Sequence, residues 1–316
     1  MSSRGKFNEV VVIGELNVDL VASGLKSEPI LGHEIVADNF NMTLGSASAI
    51  FSCGIARLGR GVTFVSRIGS DEFGEFCVAA LSRKGVSTER ILVRGESRTG
   101  VTVVMSTPND RALVTYLGAI AELEFADIPV DVLDGHRHLH MSSYYLQTAL
   151  QPDFGRLMAE AKQKGLTASF DPNSDPDQAR NEKIFEVIKH TDILFLNEPE
   201  AKLLTMQNDV RSACERLGRF CPLVVVKLGG HGAIAYRNRE FVTANGFRVD
   251  AVDTTGAGDS FAAGFVHAFL DNRELKECLM IGNACGALSA TKPGGTGGQP
   301  SLAELSDFVG KSATSA

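Results

Sequence analysis

The sequence predicts an α/β fold: a doubly wound, mostly parallel sheet flanked by helices, with a small β-sheet lid. Three observations predict it. Short runs rich in Val and Ile are apolar at nearly every position, as in strands covered on both faces. These runs alternate with longer stretches whose apolar residues recur at helical period. Two further segments break that rhythm, alternating apolar and polar residues between turn signals.

In chain order, "EVVVIG" (9–14) is the first buried strand. Residues 15–44 are the first off-rhythm segment and are read as lid strands. "SAIFSCGIARLG" (48–59) and "DEFGEFCVAALSRKG" (71–85) are helices on either side of the strand "VTFVSRIG" (62–69). The second lid segment covers about 96–118, with "PND" (108–110) as a hairpin turn. The strands "HLHMSS" (138–143), "LTASFD" (166–171), "DILFLN" (192–197) and "LVVVKLG" (223–229) follow, with the helix "DFGRLMAEAKQKG" (153–165) after the first. "SFAAGFVHAFL" (260–270) and "MIGNACGALSA" (280–290) complete the pattern as helices. No linker or repeat divides the chain, so residues 1–316 are read as one domain. Ligands of such sheets bind beyond the carboxyl ends of the strands. The loops after "VVVIG", "ASF", "FLN" and "VKLG" should therefore face the site.

Composition excludes several classes. A chain of 316 residues with 44% hydrophobic content can bury a large core. Its formal charge of -7, with no Lys/Arg-rich block, argues against a nucleic-acid or anionic-membrane surface. No apolar run approaches the ~20 residues of a membrane span. "MSSRGKFNE" lacks the apolar region of a signal peptide. Six scattered cysteines form no C-x-x-C pair and read as reduced core residues. A cytoplasmic protein is expected.

The stretch "DTTGAGDSF" (253–261) carries the strongest chemistry. Gly256, Ala257 and Gly258 are small enough for their amides to approach a ligand closely, and a helix starting near Ser260 adds its positive dipole end. Asp259 beside this nest could accept a proton from an attacking hydroxyl, or could simply cap the helix. A P-loop is excluded: the late Gly310–Lys311–Ser312 has Leu305 where the motif requires glycine. No G-x-G-x-x-G follows a strand, which leaves a dinucleotide oxidoreductase poorly supported.

Taken together, "DTTGAGDSFAAGF" and "GSASAIFSCGIARLGRGVTFVSRIGSDEFG" (45–74) resemble, in order and spacing, the two signatures of the ribokinase-like (PfkB) carbohydrate kinases. The resemblance runs from "VVIGELNVDL" to "GGTGGQPS". It implies a parallel sheet with a β lid and transfer of the γ-phosphoryl of ATP to a substrate hydroxyl. By resemblance Asp259 is the base, and the amides of Gly256, Ala257, Gly258 and Asp259 form an anion hole. Asn17 and Asp19 match the positions that bind sugar hydroxyls, although "LNVDL" alone would also suit a turn. Gly45 and Ser46 match a Gly-Gly pair lying against the sugar, with serine in place of the second glycine. Ile50 stands where many members carry a substrate-contacting Asn.

"NEPE" matches an Asn-x-x-Glu pattern that would place Asn197 and Glu200 on hydrated Mg²⁺. A helix N-terminal cap has the same composition. Asn173 of "DPN" is assigned to the phosphates or the acceptor, and Asp175 stands where many members have Arg. By the same resemblance Lys227, Gly229 and Gly232 line the ATP pocket and Asn283 lies near adenine or ribose, though a glycine turn also explains "GGHG". Asp253 and Thr255 match positions where several relatives bind a monovalent cation, which extends the cofactors to K⁺ besides ATP and Mg²⁺.

"HRHLH" puts His136, His138 and His140 in alternation, but no acid or cysteine with ligand spacing accompanies them, so ordinary strand imidazoles are expected. The leading function is a sugar kinase acting on a ketose such as fructose, a 2-keto-3-deoxy sugar acid or a ribose-like sugar. The alternatives are a nucleoside kinase, with Phe40 and Tyr116 as stacking groups under the lid, or a catalytically silent binding protein. The expected partners are sugar and ATP, with no nucleic acid and no membrane. The lid strands, with Val101, Val103, Leu113 and Val114, would leave an apolar face that a homodimer covers.

Overall fold

Every buried strand expected from the apolar runs forms in the computed structural model, which describes residues 8–107, 110–177 and 182–313. The chain opens with β1 (Asn8–Ile13), β2 (Asn17–Ser23) and β3 (Asn39–Leu44), followed by α1 (Ala47–Arg57), β4 (Gly61–Gly69) and α2 (Glu72–Arg83). Next come β5 (Ser87–Arg94), β6 (Gly100–Ser106), β7 (Arg111–Tyr116), β8 (His138–Ser142), α3 (Phe154–Gln163) and β9 (Thr167–Asp171). The middle continues with α4 (Ile184–Ile188), β10 (Ile193–Asn197), α5 (Glu198–Thr205), α6 (Val210–Leu217) and β11 (Leu223–Lys227). The last part holds β12 (Ala233–Arg237), β13 (Glu240–Ala244), α7 (Ala257–Leu270), α8 (Leu275–Ser289) and α9 (Leu302–Ala313). The amino-terminal residues read for a signal peptide lie largely outside the described residues, as do Pro108 and Asn109 of the expected hairpin turn.

Among the described residues nine strands form the main sheet, in the order β13-β12-β11-β10-β9-β8-β1-β4-β5. All neighbours are parallel except β11–β12 and β12–β13. Alternation along β1 explains the layers. Val11 and Ile13 join the core under α3 to α6, while Val10 and Val12 join the opposite core under α1, α2, α7 and α8. Each such buried aliphatic side chain contributes about 1.5–3 kcal/mol, which is why the runs are apolar at every residue.

The carboxyl ends of the strands line up. Ser142 pairs with Asp171, and Asn197 with Lys227, and the β9–β10 register sets the second pair further along than the first, so the ends of four central strands form a stepped row. The site is built on that row.

The two off-rhythm segments form a separate four-stranded sheet, β3-β2-β6-β7. Its register sorts side chains by face. Asp19 lies level with Thr43 and Thr102, Thr102 with Thr115, and Ser106 with Arg111. This face is mostly polar and looks into the cleft. The opposite face carries Leu20, Phe40, Met42, Val103, Val114 and Tyr116. Phe40 and Tyr116 are 66% and 58% exposed and point away from the cleft, so they cannot stack on a ligand beneath the lid. Leu113 faces the cleft side rather than the outer face, because it pairs with Val104.

All six cysteines are free and buried. His138 and His140 are buried on β8, both hydrogen-bonded to the Ser169 hydroxyl, and burial holds them in the neutral form with pKa values well below the usual range. Among the described residues no three His, Cys, Asp or Glu side chains are arranged to hold a metal ion directly. No described helix is long and apolar enough to cross a membrane.

Candidate active site

The start of α7 supplies the anion-binding end. Its N-cap is Gly256, with φ 71°, and the helix begins at Ala257, three residues earlier than the sequence suggested. A side chain at Gly256 would also strike Gly295 and Ile50 at 2.8–2.9 Å. Ala257 already donates its amide to Thr254 O (3.2 Å), and the first helical bond runs from Ser260 N to Gly256 O. The amides of Gly256, Gly258 and Asp259 remain for an anion. Ile50 is buried under this turn, and Gln299 ties its carbonyl to Ser260. It therefore shapes the anion hole from behind.

Four charged groups gather where α7 meets the strand ends. Lys227 Nζ bonds Asp171 Oδ2 at 2.6 Å. A Cβ on Gly258 would stand 3.2 Å from that ammonium, so the lysine lies against the first turn of α7. Burial by itself would lower the Lys227 ammonium, but Asp171, Glu200 and Asp259 outweigh it and hold the group above its usual range. It stays charged. Asp259 is half-buried, and burial, reinforced by Asp171, pushes its carboxyl up to about 7 against the pull of Lys227.

Asp171 was missed in the sequence. It is 1% exposed and its Oδ1 has no hydrogen-bond partner. Its place at a strand end in "DPN" was the available signal, masked by the apolar run before it. Asn197 and Glu200 form a reciprocal cap on α5: Glu200 N donates to Asn197 Oδ1 and Asn197 N to Glu200 Oε2, both at 2.8 Å. Ser174 donates to Glu200 Oε1. The capping reading is thus realised, and it also fixes Glu200 beside Asp171 and Lys227.

The acceptor side lies under the lid. Asn17 Nδ2 donates to Asp19 Oδ1 at 2.9 Å and to Thr102 Oγ1 at 3.2 Å. Asp19 is 8% exposed, and burial pushes its carboxyl up to about 6. A Cβ on Gly45 would lie 2.1 Å from Asp19 Oδ1, so only glycine fits there. Ser46 caps α1 by accepting from Ala49 N. Asn173, with φ 57°, donates to Ser143 Oγ at 2.8 Å.

A cavity of about 860 Å³ opens on the other side of the anion hole, lined by Asn197, Lys227, Gly229, Gly232, Phe261 and Asn283. Gly229 has φ 58° and open space at its Cβ, whereas a Cβ on Gly232 would strike Ala244 O at 2.1 Å. Asn283, which lines this cavity, spends its amide hydrogens on the carbonyls of Ala244 and Asn245. Asp253 accepts from Thr255 N and Gly294 N, each at 2.9 Å. Arg111 on the lid donates to Thr255 Oγ1 at 2.7 Å and stands 4.0 Å from Asp253 Oδ1.

A deep cavity, an anion-binding helix start and a polar pocket under a β lid meet at one row of strand ends. The pfkB family carbohydrate kinase model matches residues 8–302 of this chain. The chain belongs to the pfkB family of carbohydrate kinases. It is 31% identical over 290 residues to 2-dehydro-3-deoxygluconokinase of Bacillus subtilis, covering 88% of this chain and 89% of that one. It is 30% identical over 325 residues to fructokinase-2 of Zea mays, covering 96% and 95%. An E. coli protein assigned as a ribokinase II, solved with ATP and Mg²⁺, superposes with a TM-score of 0.85 at 26% identity, over 96% and 99% of the chains. This carbohydrate kinase is therefore an ATP-binding phosphotransferase with an alcohol group as acceptor.

Proposed function

We propose that this kinase transfers the γ-phosphoryl of ATP to a hydroxyl of a small sugar or sugar acid: a ketose such as fructose, a 2-keto-3-deoxy sugar acid or a ribose-like sugar. The observation that carries the reading is the face of the lid turned to the cleft. Asn17, Asp19, Thr43 and Thr102 offer hydroxyl-matching groups there, while the aromatic lid residues point outward. A nucleoside base would find no stacking partner on that face. In this reading Asp259 takes the proton of the attacking hydroxyl, and the free amides of Gly256, Gly258 and Asp259 stabilise charge on the transferred group. Lys227 reaches the phosphates, and Gly229, Gly232 and Asn283 line the nucleotide cavity. An ADP-release screen across ketoses, pentoses, sugar acids and nucleosides tests it. Turnover with nucleosides alone would replace this reading by the nucleoside kinase, and no turnover at all by a silent binding protein.

Magnesium fits the site. Asp171 keeps a buried oxygen without a partner, and Asp171, Glu200 and Asp259 outnumber Lys227. Asn197 and Glu200, with Asp171, would hold the hydrated ion, which supplies positive charge against the phosphates. Activity is expected to vanish in chelator and return with Mg²⁺; full activity in chelator would refute this.

A monovalent cation at Asp253 and Thr255 fits less well, because both carboxylate oxygens already accept backbone N–H donors and Arg111 stands beside them. We assign the balancing charge there to Arg111. Rates in K⁺, Na⁺ and choline buffers are expected to agree, and a marked rise in K⁺ alone would restore the ion.

The outer lid face carries the dimer proposal. Phe40, Met42, Val103, Val114 and Tyr116 are all more than a third exposed on one side of one small sheet. A second copy placed about a two-fold axis would cover it. Light scattering at micromolar concentration should give the mass of two chains, and Val114→Lys should give one. A single-chain mass for the wild type would leave the face uncovered. The free buried cysteines agree with a cytoplasmic enzyme, which is part of the same proposal.

A further inference from the structure

Glu15 follows β1 and is 2% exposed. Every partner the structure gives its carboxylate is a neutral serine group. Oε1 accepts from Ser46 Oγ (3.1 Å), Ser48 N (3.1 Å) and Ser143 Oγ (2.9 Å), and Oε2 from Ser48 Oγ (2.6 Å). The single Ser46 hydroxyl hydrogen is shared with the carbonyl of Glu15, which at 2.6 Å is the shorter arm. Donors of this number are what a buried carboxylate needs in place of water. The packing around them is tight: a Cβ on Gly14 would lie 2.0 Å from Ser48 Oγ.

The same cluster holds strained backbone. Ser46, Ser143 and Asn173 are three of the seven non-glycine residues with positive φ among the described residues. Ser46, at φ 72° and ψ 120°, is in a region that side-chain-bearing residues avoid. Such strain persists only where surrounding contacts over-determine it, and it concentrates at ligand sites. Here the contacts converge on one carboxylate. Ser46 and Ser143 bond Glu15 directly, and Asn173 bonds Ser143. One acid thus ties together the end of β1, the start of α1 and the ends of β8 and β9. Ser46 adjoins Gly45, which lies against Asp19, so the chain of contacts reaches both sides of the acceptor pocket.

We propose that Glu15 is the positioning residue of the acceptor pocket, fixing Ser46 and Asn173 in their strained conformations without touching substrate itself. The proposal rests on the acceptor-pocket reading given above. Glu15→Ala removes the acceptor of three hydrogen bonds and of the longer arm of the shared Ser46 bond. Glu15→Gln keeps an oxygen for the three donors at Oε1 and turns its amide to the Ser48 hydroxyl.

The test uses the full-length chain. Expected for Glu15→Ala are faster hydrogen exchange in segments 45–49, 142–144 and 172–174 and unchanged exchange in 227–232. The Kd for the magnesium complex of a non-hydrolysable ATP analogue should stay the same. The KM should rise by ~10²-fold for whichever of D-fructose, D-ribose or 2-dehydro-3-deoxygluconate the wild type phosphorylates, as for a displaced binding group. Glu15→Gln should restore the wild-type KM. Unchanged exchange and KM in Glu15→Ala would overturn the proposal, as would equal loss of analogue binding in both variants. Should Glu15→Ala fail to fold, Ser143→Ala, which removes the Glu15–Ser143 and Ser143–Asn173 bonds and leaves those from Ser46 and Ser48 in place, must still raise the KM. If the wild type turns over nucleosides alone or nothing in the screen above, the sugar reading fails, while the exchange comparison still shows whether Glu15 holds these segments.

Discussion

Asp259→Asn lowers kcat by ~10²–10⁴ while ATP-analogue affinity stays near wild type, because a positioned base contributes a factor of that size. The half-buried carboxyl, raised to about 7 by burial and Asp171, is poised to take a proton near neutral pH. The wild-type rate should therefore fall as pH drops below about 7, since a protonated Asp259 cannot act as a base. The same shift has a consequence for stability. The folded value lies above the ordinary 3.8, so the folded state retains a proton that the unfolded chain releases. Ionising Asp259 thus opposes folding, increasingly as pH rises from about 4 to about 7 and fully above that window. The asparagine variant should melt higher than wild type at pH 8, and the difference should vanish below about pH 4. Near-normal turnover in Asp259→Asn would remove Asp259 from the mechanism. A lower melting temperature at pH 8 would remove the buried-charge argument.

Asp19→Ala should raise the acceptor KM by ~10–100-fold with little change in ATP affinity, because a hydrogen bond to a charged group is worth about 1.5–3 kcal/mol. Asp19 sits on the polar face of the lid, oriented by Asn17, with Gly45 close enough to exclude any side chain between them. Its carboxyl, raised to about 6 by burial, loses its charge below that pH, so the wild-type acceptor KM should climb there too. In the variant that part of the climb should be absent. A fall in ATP affinity with an unchanged acceptor KM would mean that the two ends of the site are reversed.

The amino-acid sequence by itself determined the main sheet, the lid and the order of the site along the chain. Residues such as Val10 to Ile13 and Leu223 to Val226 are apolar on successive positions, and only a strand covered on both faces satisfies that pattern. The small residues before Asp259 likewise leave room only for close backbone approach to an anion. Tertiary structure alone decided which lid residues face the ligand. A strand alternates with period two, and the register across β2, β6 and β7 assigns Phe40 and Tyr116 to the outer face and Thr102 to the cleft. It also brought together Glu15, Ser46, Ser143 and Asn173, and likewise Asp171 and Lys227, which are distant in sequence. Their partnership comes from parallel strands ending side by side. No local pattern records that contact, because each strand end is specified by its own hydrophobic run and only the sheet sets the ends in one row.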